Sequence, residues 1–217
     1  MTEEDNRGRA LSDANSEPVI QILDVIRRAM GQRTVPFLVA LDGPSGAGKS
    51  TIAAAVAAAT SATVVPSDDF FAAEITDVQW EARSGAERAR DAIDWRRLRR
   101  DALEPLRAWK PAAWHAFDFQ AGIRLDGTYA MCAEIIRRKP AALIILEGAY
   151  SSRPELTDLI DLSVLIDAPT SIRQQRLAAR ETEGFLLAWH ARWDVAEEFY
   201  FTHVRPRSSF GLIVDAI

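Results

Sequence analysis

The chain has 217 residues, 48% of them hydrophobic and 26% charged, a balance that predicts one ordinary globular domain with a full core. Its formal net charge of −5 argues against nucleic acid or an anionic membrane as a partner, and its single cysteine, Cys132, excludes a disulfide framework and a cysteine-rich zinc site. No apolar run approaches the roughly 20 residues that span a bilayer, and the polar segment Met1–Ser16 lacks the apolar core of a signal peptide, so we expect a cytoplasmic protein with no membrane partner.

The amino-terminal part of the chain predicts a helix followed by two strands. We expect residues 1–15 to form a disordered tail before a single domain over 16–217. Ser16, Glu17 and Pro18 form a helix-start signal, and apolar residues follow them at helical spacing. The elements predicted next are a buried strand over 35–41, an alanine-rich helix over 49–60 and a short strand over 62–65.

The rest of the chain predicts more helices and three more strands. Residues 70–114 are charged and aromatic, with a mostly helical pattern in which Asp94–Trp109 is the clearest helix and Pro111 ends it. The elements predicted beyond are buried strands over 141–146 and 162–166, helices over 169–180 and 184–203, and a last strand over 212–214. Short apolar strands that alternate with helices predict an α/β fold with a parallel sheet covered on both faces.

A glycine-rich segment follows the strand predicted over 35–41. Gly43 to Ser50 satisfies the pattern G-x-x-x-x-G-K-[ST] and opens the helix predicted over 49–60, where a phosphate-binding P-loop must lie. Glycines let backbone N–H groups converge on phosphate oxygens, and the helix N-terminus adds partial positive charge. We expect Lys49 to reach the β- and γ-phosphates of ATP and the Ser50 hydroxyl to coordinate Mg²⁺. The predicted ATP-binding residues of this loop are Gly43, Ser45, Gly46, Ala47, Gly48, Lys49, Ser50 and Thr51.

The loop has a simpler interpretation, and several P-loop classes are open at this point. In the simpler interpretation the segment is a glycine-rich turn whose lysine has no role in binding phosphate, and the strand–loop–helix context disfavours it. A switch GTPase needs an N-K-x-D-type guanine motif, but the only asparagines, Asn6 and Asn15, precede the loop. The chain is also small for a motor or an AAA-type ATPase. A P-loop NTPase fold of the kinase type fits best, with the choice between ATP and GTP open.

Acidic residues end three of the predicted strands, where ligands of parallel sheets bind. Asp68 has a position that suits a catalytic base able to accept the proton of an attacking hydroxyl, and it equally suits a helix N-cap. Glu147 has a position that suits a Mg²⁺ ligand, with Asp167 as a competitor that could instead cap the helix starting at Pro169.

Three arginines lie at i, i+3 and i+7 on the helix predicted over 169–180. Arg173, Arg176 and Arg180 therefore share one helix face. A lid over ATP needs such cations to neutralise charge on the transferred phosphoryl group, whereas a solvated arginine face is the plain alternative.

Together these motifs resemble the uridine kinase-like P-loop kinases, a group that includes nicotinamide riboside kinases and, more distantly, phosphoribulokinase. The resemblance runs from about Val35 to the C-terminus. The matching segments are Asp68-Asp69-Phe70-Phe71, Asp91-Ala92-Ile93-Asp94, Phe117-Asp118-Phe119 with Arg124, Leu146-Glu147-Gly148, and the arginines 173, 176 and 180.

The resemblance implies roles for these residues and a helical lid over about 173–184. Asp68 and Lys49 would be catalytic, Ser50 and Glu147 would bind Mg²⁺, and the lid arginines would bind ATP. An insertion over about 70–125 would hold the acceptor, and the implied substrate-binding residues are Asp68, Phe71, Phe117, Asp118 and Arg124.

The acceptor motif departs from that of uridine kinases at three positions. Phe117 replaces the acceptor tyrosine, Gly122 replaces a histidine, and Arg88 stands where an aspartate precedes the D-A-F-D segment. Since specificity depends on paired hydrogen bonds, these changes predict an acceptor pocket different from one that reads uridine. Tryptophans and phenylalanines crowd this region, and a planar base could stack on one of them, although packing is their commoner use.

The functional hypothesis is therefore ATP-dependent phosphorylation of a hydroxyl on a small metabolite, most simply a nucleoside. Residues 41–46 also resemble the cytidylate kinase loop, so a nucleoside monophosphate kinase is an alternative, although Asp68-Asp69-Phe70 stands where that enzyme has D-T-G. A non-catalytic ATP-binding regulatory protein is a third possibility. The sequence leaves the oligomeric state open.

Overall fold

The computed structural model describes residues 16–180 and 192–216. The tail predicted over 1–15, and part of the helix predicted over 184–203, lie outside these described residues. The strands are β1 (Phe37–Asp42), β2 (Thr63–Pro66), β3 (Ala112–Phe117), β4 (Met131–Arg138), β5 (Leu143–Glu147), β6 (Leu162–Asp167) and β7 (Leu212–Asp215). The helices are α1 (Glu17–Met30), α2 (Lys49–Thr60), α3 (Asp77–Ala82), α4 (Gly85–Asp91), α5 (Trp95–Leu98), α6 (Glu104–Arg107) and α7 (Thr170–Arg180).

In two places an α-helix continues directly into a π-helical turn. A π-helical turn, Arg99–Leu103, joins α5 to α6, so the helix predicted over Asp94–Trp109 is confirmed, with Asp94 as the N-cap that accepts a hydrogen bond from the Arg97 backbone N–H. Residues 192–199 are α-helical and continue into a π-helical turn, Tyr200–Val204. We call residues 192–204 the C-terminal helical segment. No helix among the described residues is long and apolar enough to cross a membrane.

Five strands form one parallel sheet in the order β2-β5-β1-β6-β7, as the apolar runs predicted. β1 lies between β5 and β6, pairing Leu41 with Glu147 and Asp42 with Leu165. The carboxyl ends of β1 and β5 therefore meet at one edge of the sheet. Residues that follow these strands are brought together even though about a hundred positions separate them.

Helices cover both faces of the sheet, and the alternation of side chains along each strand divides the core. Along β1, Phe37, Val39 and Leu41 pack in a cluster with α1 and α2, while Leu38 points to the other face. The cluster on that other face is larger and richer in aromatic side chains, and contains Phe70, Trp80, Leu103, Trp114 and Tyr200. The region 70–107 and the C-terminal helical segment thus pack on the face opposite α1 and α2.

One part of the region predicted as mostly helical is an antiparallel hairpin. β3 and β4 pair from Ala112↔Arg138 to Phe117↔Met131, with a bulge between His115 and Phe117. The extension of the helical pattern to Trp114 was therefore wrong, and β4 was not predicted. β4 is half exposed, with no buried residue along its length, and its apolar residues neither form one continuous run nor alternate with polar ones as the residues of a half-buried strand do.

Candidate functional site

The predicted P-loop joins β1 to α2 at the carboxyl edge of the sheet. Its glycines have positive φ angles of 151° at Gly43, 78° at Gly46 and 98° at Gly48. A Cβ at Gly46 would lie 2.7 Å from the backbone oxygen of Arg173, so α7 packs directly on this turn. Lys49 is buried and its ammonium donates to the loop's own carbonyls, Gly43 O at 2.8 Å and Pro44 O at 3.0 Å. In this ligand-free arrangement the loop's own carbonyl oxygens therefore hold the ammonium at the beginning of the loop.

A buried carboxylate fixes the beginning of the loop. Asp42 is fully buried and accepts hydrogen bonds from the backbone N–H groups of Gly43 and Ser152 and from the Tyr200 hydroxyl, each at 2.8 Å. Burial raises the pKa of this carboxyl, and the three donors oppose that rise. Sequence analysis did not identify Asp42 as a functional residue. Its partners at positions 152 and 200 lie too far along the chain for any local pattern to show them.

Three oxygen-bearing side chains converge next to the start of α2. The Ser50 hydroxyl donates to Glu147 Oε2 at 3.1 Å, across the junction of α2 and β5. Asp68 lies near this pair, because a Cβ at Gly148 would collide with Ser67 Oγ and would lie 3.3 Å from Asp68 Oδ1. Burial, and then the negative charge of Asp68, raise the pKa of Glu147, while Lys49 and the Ser50 hydrogen bond lower it. The structure thus brings Ser50, Asp68 and Glu147 together as predicted.

The two neighbouring aspartates after β2 have different surroundings. Asp68 is exposed and lines the cavity beside the P-loop. Asp69 points away and accepts a hydrogen bond from Trp114 Nε1 at 2.8 Å, while Arg97 donates to its backbone oxygen at 3.0 Å. Asp69 therefore links β3 to the 3₁₀ turn Ser67–Phe70, and Asp68 is the carboxylate that faces the open site.

A single cavity of about 790 Å³ contains the loop and these carboxylates. One end lies beside Thr51, Arg176 and Ala216. The other end lies beyond Asp68, and its lining includes the side chains Phe71, Ile93, Phe119 and Trp193. Trp193 and Ile93 were not singled out from the sequence. Trp193 packs edge-on against Phe71, with ring centroids 5.0 Å apart, although 122 positions separate the two residues.

Two of the three predicted lid arginines contact the P-loop. Arg173 donates to Ser45 O at 3.2 Å, and Arg176 donates to Ala47 O at 3.2 Å and to Gly46 O at 3.4 Å. Arg180 ends α7, and its side chain lies outside the described residues. α7 therefore presents two cations to the backbone of the loop, and of these two Arg176 lines the cavity whereas Arg173 does not.

The residues of the predicted acceptor motif lie in and near the β3–β4 hairpin, and of these residues only Phe119 lines the cavity. Phe117 is buried against Phe71, with centroids 5.0 Å apart. Asp118 accepts hydrogen bonds from the backbone N–H groups of Gln120 and Ala121, which caps the hairpin loop. Arg124 is exposed in that loop. Of the predicted substrate-binding residues, Asp68 and Phe71 line the cavity and the other three do not.

Two further residues that the sequence analysis considered, Asp167 and Arg88, make contacts outside the cavity. Asp167, the competitor of Glu147, forms an ion pair with Arg207 on the other side of the P-loop and does not line the cavity. Arg88 donates to Trp80 O at 3.0 Å and to Arg192 O at 2.8 Å, so it fastens α4 to α3 and to the C-terminal helical segment. Of the two carboxylates, only Glu147 lies beside Ser50.

The fold matches known P-loop kinases. No protein-family model matches the sequence, and no curated protein matches it. One similar solved structure is a possible uridine kinase from Bacillus stearothermophilus, with 17% sequence identity and a TM-score of 0.67, and the match covers 92% of this chain and 98% of that one. A second is a candidate fructose transport system kinase from Silicibacter sp. TM1040, with 23% identity and a TM-score of 0.64, covering 92% of this chain and 99% of that one. A third is D-glycerate 3-kinase from Cryptococcus neoformans, with 13% identity and a TM-score of 0.55, covering 90% of this chain and 89% of that one. At these identities the likeness shows only that the chain has the same fold as these proteins, and both the activity and the acceptor have to be argued from the site.

Proposed function

We propose that this protein is an ATP-dependent kinase that transfers the γ-phosphoryl group of ATP to a hydroxyl of a small metabolite, most simply a nucleoside. The observation that carries the proposal is the convergence of Asp68, Glu147 and Ser50 beside the P-loop, inside one cavity that continues to an aromatic end. A binding protein needs the loop alone, whereas phosphoryl transfer also needs a base and a place for the acceptor.

Each residue of this group has a role in the proposed reaction. The P-loop backbone and Lys49 bind the phosphates of ATP, once the Lys49 ammonium exchanges the carbonyls of Gly43 and Pro44 for phosphate oxygens. Asp68, at the acceptor side of the loop, accepts the proton of the attacking hydroxyl. Arg173 and Arg176 bring positive charge from α7 to the side of the loop, where negative charge develops on the transferred group.

The donor set at the end of β5 suits Mg²⁺. Mg²⁺ takes oxygen ligands and is usually held by one or two carboxylates together with substrate phosphates. The Ser50 hydroxyl and the Glu147 carboxylate, 3.1 Å apart, are such ligands, and Asp68 adds a second carboxylate nearby. When bound there, Mg²⁺ supplies positive charge against the β- and γ-phosphate oxygens.

We call the end of the cavity beside Phe71, Ile93, Phe119 and Trp193 the acceptor end, and its lining supports an acceptor without a phosphate group. The side chains of this end are aromatic or aliphatic, and its charged neighbours Asp68 and Glu147 are both acidic. Among the described residues of the cavity, the cations Lys49 and Arg176 belong to the P-loop and the lid. A nucleoside monophosphate kinase must bind a second phosphate, so this lining favours a neutral hydroxylated acceptor that can pack on the rings.

The test is phosphoryl transfer from Mg-ATP to a panel of acceptors, with ADP release and product mass recorded together. The panel holds uridine, cytidine, nicotinamide riboside, pantothenate, several sugars and CMP. Asp68→Asn is expected to lower turnover about 10²–10⁴-fold, the usual contribution of a general base, with ADP binding retained. Asp69→Asn is the matched control, because an asparagine oxygen can still accept the Trp114 hydrogen bond, and its turnover should stay within about threefold of wild type.

Each outcome of this test separates one hypothesis from the others. A phosphorylated nucleoside, lost in Asp68→Asn but not in Asp69→Asn, supports the proposal. Robust activity on CMP alone supports a nucleoside monophosphate kinase. ATP binding without acceptor-dependent ADP release across the panel, unchanged in Asp68→Asn, contradicts the kinase proposal and favours the regulatory protein.

A further inference from the structure

We infer that Glu197, on the C-terminal helical segment, is a positioning residue that holds the P-loop in its nucleotide-binding conformation through Ser45. The inference rests on the proposed function in one respect, namely that the P-loop binds ATP and ADP. Neither the P-loop pattern nor the motifs of the acceptor side point to residue 197.

The contact between Glu197 and Ser45 is buried and made by three hydrogen bonds. Glu197 is 7% exposed. Its carboxylate accepts from the Ser45 backbone N–H, at 3.2 Å to Oε1 and 3.0 Å to Oε2, and from the Ser45 hydroxyl. A carboxylate is rarely buried without paired donors, and hydrogen bonds to a charged group are stronger than those between neutral groups. Glu197 therefore fixes the backbone of Ser45 as well as its side chain.

The same turn of the P-loop is held from a second side and at a second point. Arg173 on α7 donates to Ser45 O at 3.2 Å, so both backbone polar groups of Ser45 are bonded outside the loop. Three residues beyond Glu197, Tyr200 donates to Asp42, which in turn accepts from the Gly43 N–H. One helical segment thus fixes the P-loop at its beginning and at its third residue. Residues three apart lie on the same side of a helix, which lets both contacts form together.

This attachment matters because a P-loop binds phosphate with backbone N–H groups whose directions must be set before the ligand arrives. If the Ser45 peptide turns, the next peptides at Gly46 and Ala47 turn with it. Loss of the Glu197 carboxylate is therefore expected to weaken nucleotide binding through the conformation of the loop, since a carboxylate in the cavity does not itself bind a phosphate anion. Repulsion between the Glu197 carboxylate and a bound phosphate acts in the opposite direction, and the sign of the change in Kd shows which effect is larger.

The test is ADP binding in the presence of Mg²⁺, measured by calorimetry on the full-length protein. Glu197→Ala should raise the Kd for ADP about tenfold, which is the scale of one charge-assisted hydrogen bond. Glu197→Gln keeps an oxygen that can accept from the Ser45 N–H and should restore binding to within about threefold of wild type. Glu198→Gln is the matched control, because Glu198 is the exposed neighbour, and it should bind ADP as wild type does.

A double-mutant cycle with Ser45→Ala separates positioning from general stability. If Glu197 acts through Ser45, the effects of Ser45→Ala and Glu197→Ala on the Kd should be less than additive, whereas a general loss of stability lowers the melting temperature and leaves the effects additive. An unchanged Kd in both Glu197 variants, or a lower one, overturns the inference. Absence of ADP binding to the wild-type protein would instead contradict the proposed function.

Discussion

The carboxyl group of Glu147 lies at the end of β5 with only 8% of the residue exposed. Burial, and then the charge of Asp68, raise the pKa of Glu147 above its ordinary value. An acid whose pKa is higher in the folded state favours folding only while it is protonated, and this contribution is lost as pH rises through the folded pKa. At neutral pH the ionised Glu147 therefore lowers the free energy of unfolding, a cost that a Mg²⁺ ligand at this position would justify.

Replacing Glu147 by Gln should stabilise the ligand-free protein while it abolishes Mg²⁺-dependent phosphoryl transfer. Glutamine retains an oxygen for the Ser50 hydroxyl and carries no charge. The melting temperature at pH 7.5 should rise, and a gain of about 1 kcal/mol would appear as about 2–4 °C in a chain of this size. The difference between variant and wild type should shrink as pH falls through the raised pKa of Glu147, because the wild-type carboxyl then takes up a proton. A lower melting temperature at pH 7.5 would show that the ionised form is favourably paired.

The residues of the site differ in how well a sequence can reveal them. Lys49, Ser50 and Glu147 belong to a spaced pattern or end an apolar run, so their positions could be predicted, and the structure brings them together. Asp42 and Glu197 could not be predicted as loop-holding residues, because their partners lie up to 158 positions away. Hydrogen bonds between distant segments leave no periodic signal in the chain.

At the scale of elements, strands with two buried faces were predictable and the hairpin was not. β1 and β5 are buried at every position, and such runs are distinctive. β4 is held mainly by its pairing with β3, and its exposed positions carry polar and apolar residues alike. In the connection between β3 and β4, Phe119 lines the cavity whereas Asp118 and Arg124 do not, so motif resemblance alone could not indicate which of these residues lie beside it.

Asp161 connects the main sheet to the helical layer through contacts with β1, with α6 and with Arg33. Asp161, just before β6, accepts from the Leu38 N–H in β1 at 2.9 Å and forms ion pairs with Arg107 at the end of α6 and with Arg33. The Asp161 side chain is 14% exposed, so these contacts are largely shielded from water. Its removal leaves the Leu38 N–H without this acceptor, and leaves the largely buried Arg107 guanidinium with Pro36 O but without a neutralising carboxylate.

Asp161→Ala is accordingly expected to lower the free energy of unfolding by about 2–4 kcal/mol, since each unsatisfied buried group costs about 1–3 kcal/mol. Urea denaturation followed by circular dichroism measures this loss. Asp24→Ala, which removes the exposed i,i+3 pair with Arg27, should cost less than about 0.5 kcal/mol. Similar values for the two variants would mean that the Asp161 contacts are replaced by water at little cost.

At the scale of the whole molecule, the candidate site lies where the two halves of the core meet. Lys49 and Ser50 begin α2, which packs on one face of the sheet, whereas Asp68 and Phe71 belong to the layer on the other face. The parallel order of β2, β5 and β1 brings these groups to one edge. A nucleotide bound there contacts both halves at once, and its binding energy should add to the stability of the whole chain.

Mg-ADP at a hundredfold excess over its Kd should therefore raise the melting temperature of the whole protein in a single transition. Binding to the folded state alone adds about 2.7 kcal/mol at that concentration, which corresponds to about 5–11 °C at this chain length. Lys49→Ala removes the ammonium that we propose binds phosphate, so this variant should lose most of the shift. Differential scanning calorimetry reads both quantities in one scan. If ADP instead splits the transition in two, the halves of the core unfold separately and the nucleotide stabilises only one of them, because a ligand that contacts both halves cannot leave one to melt at its original temperature.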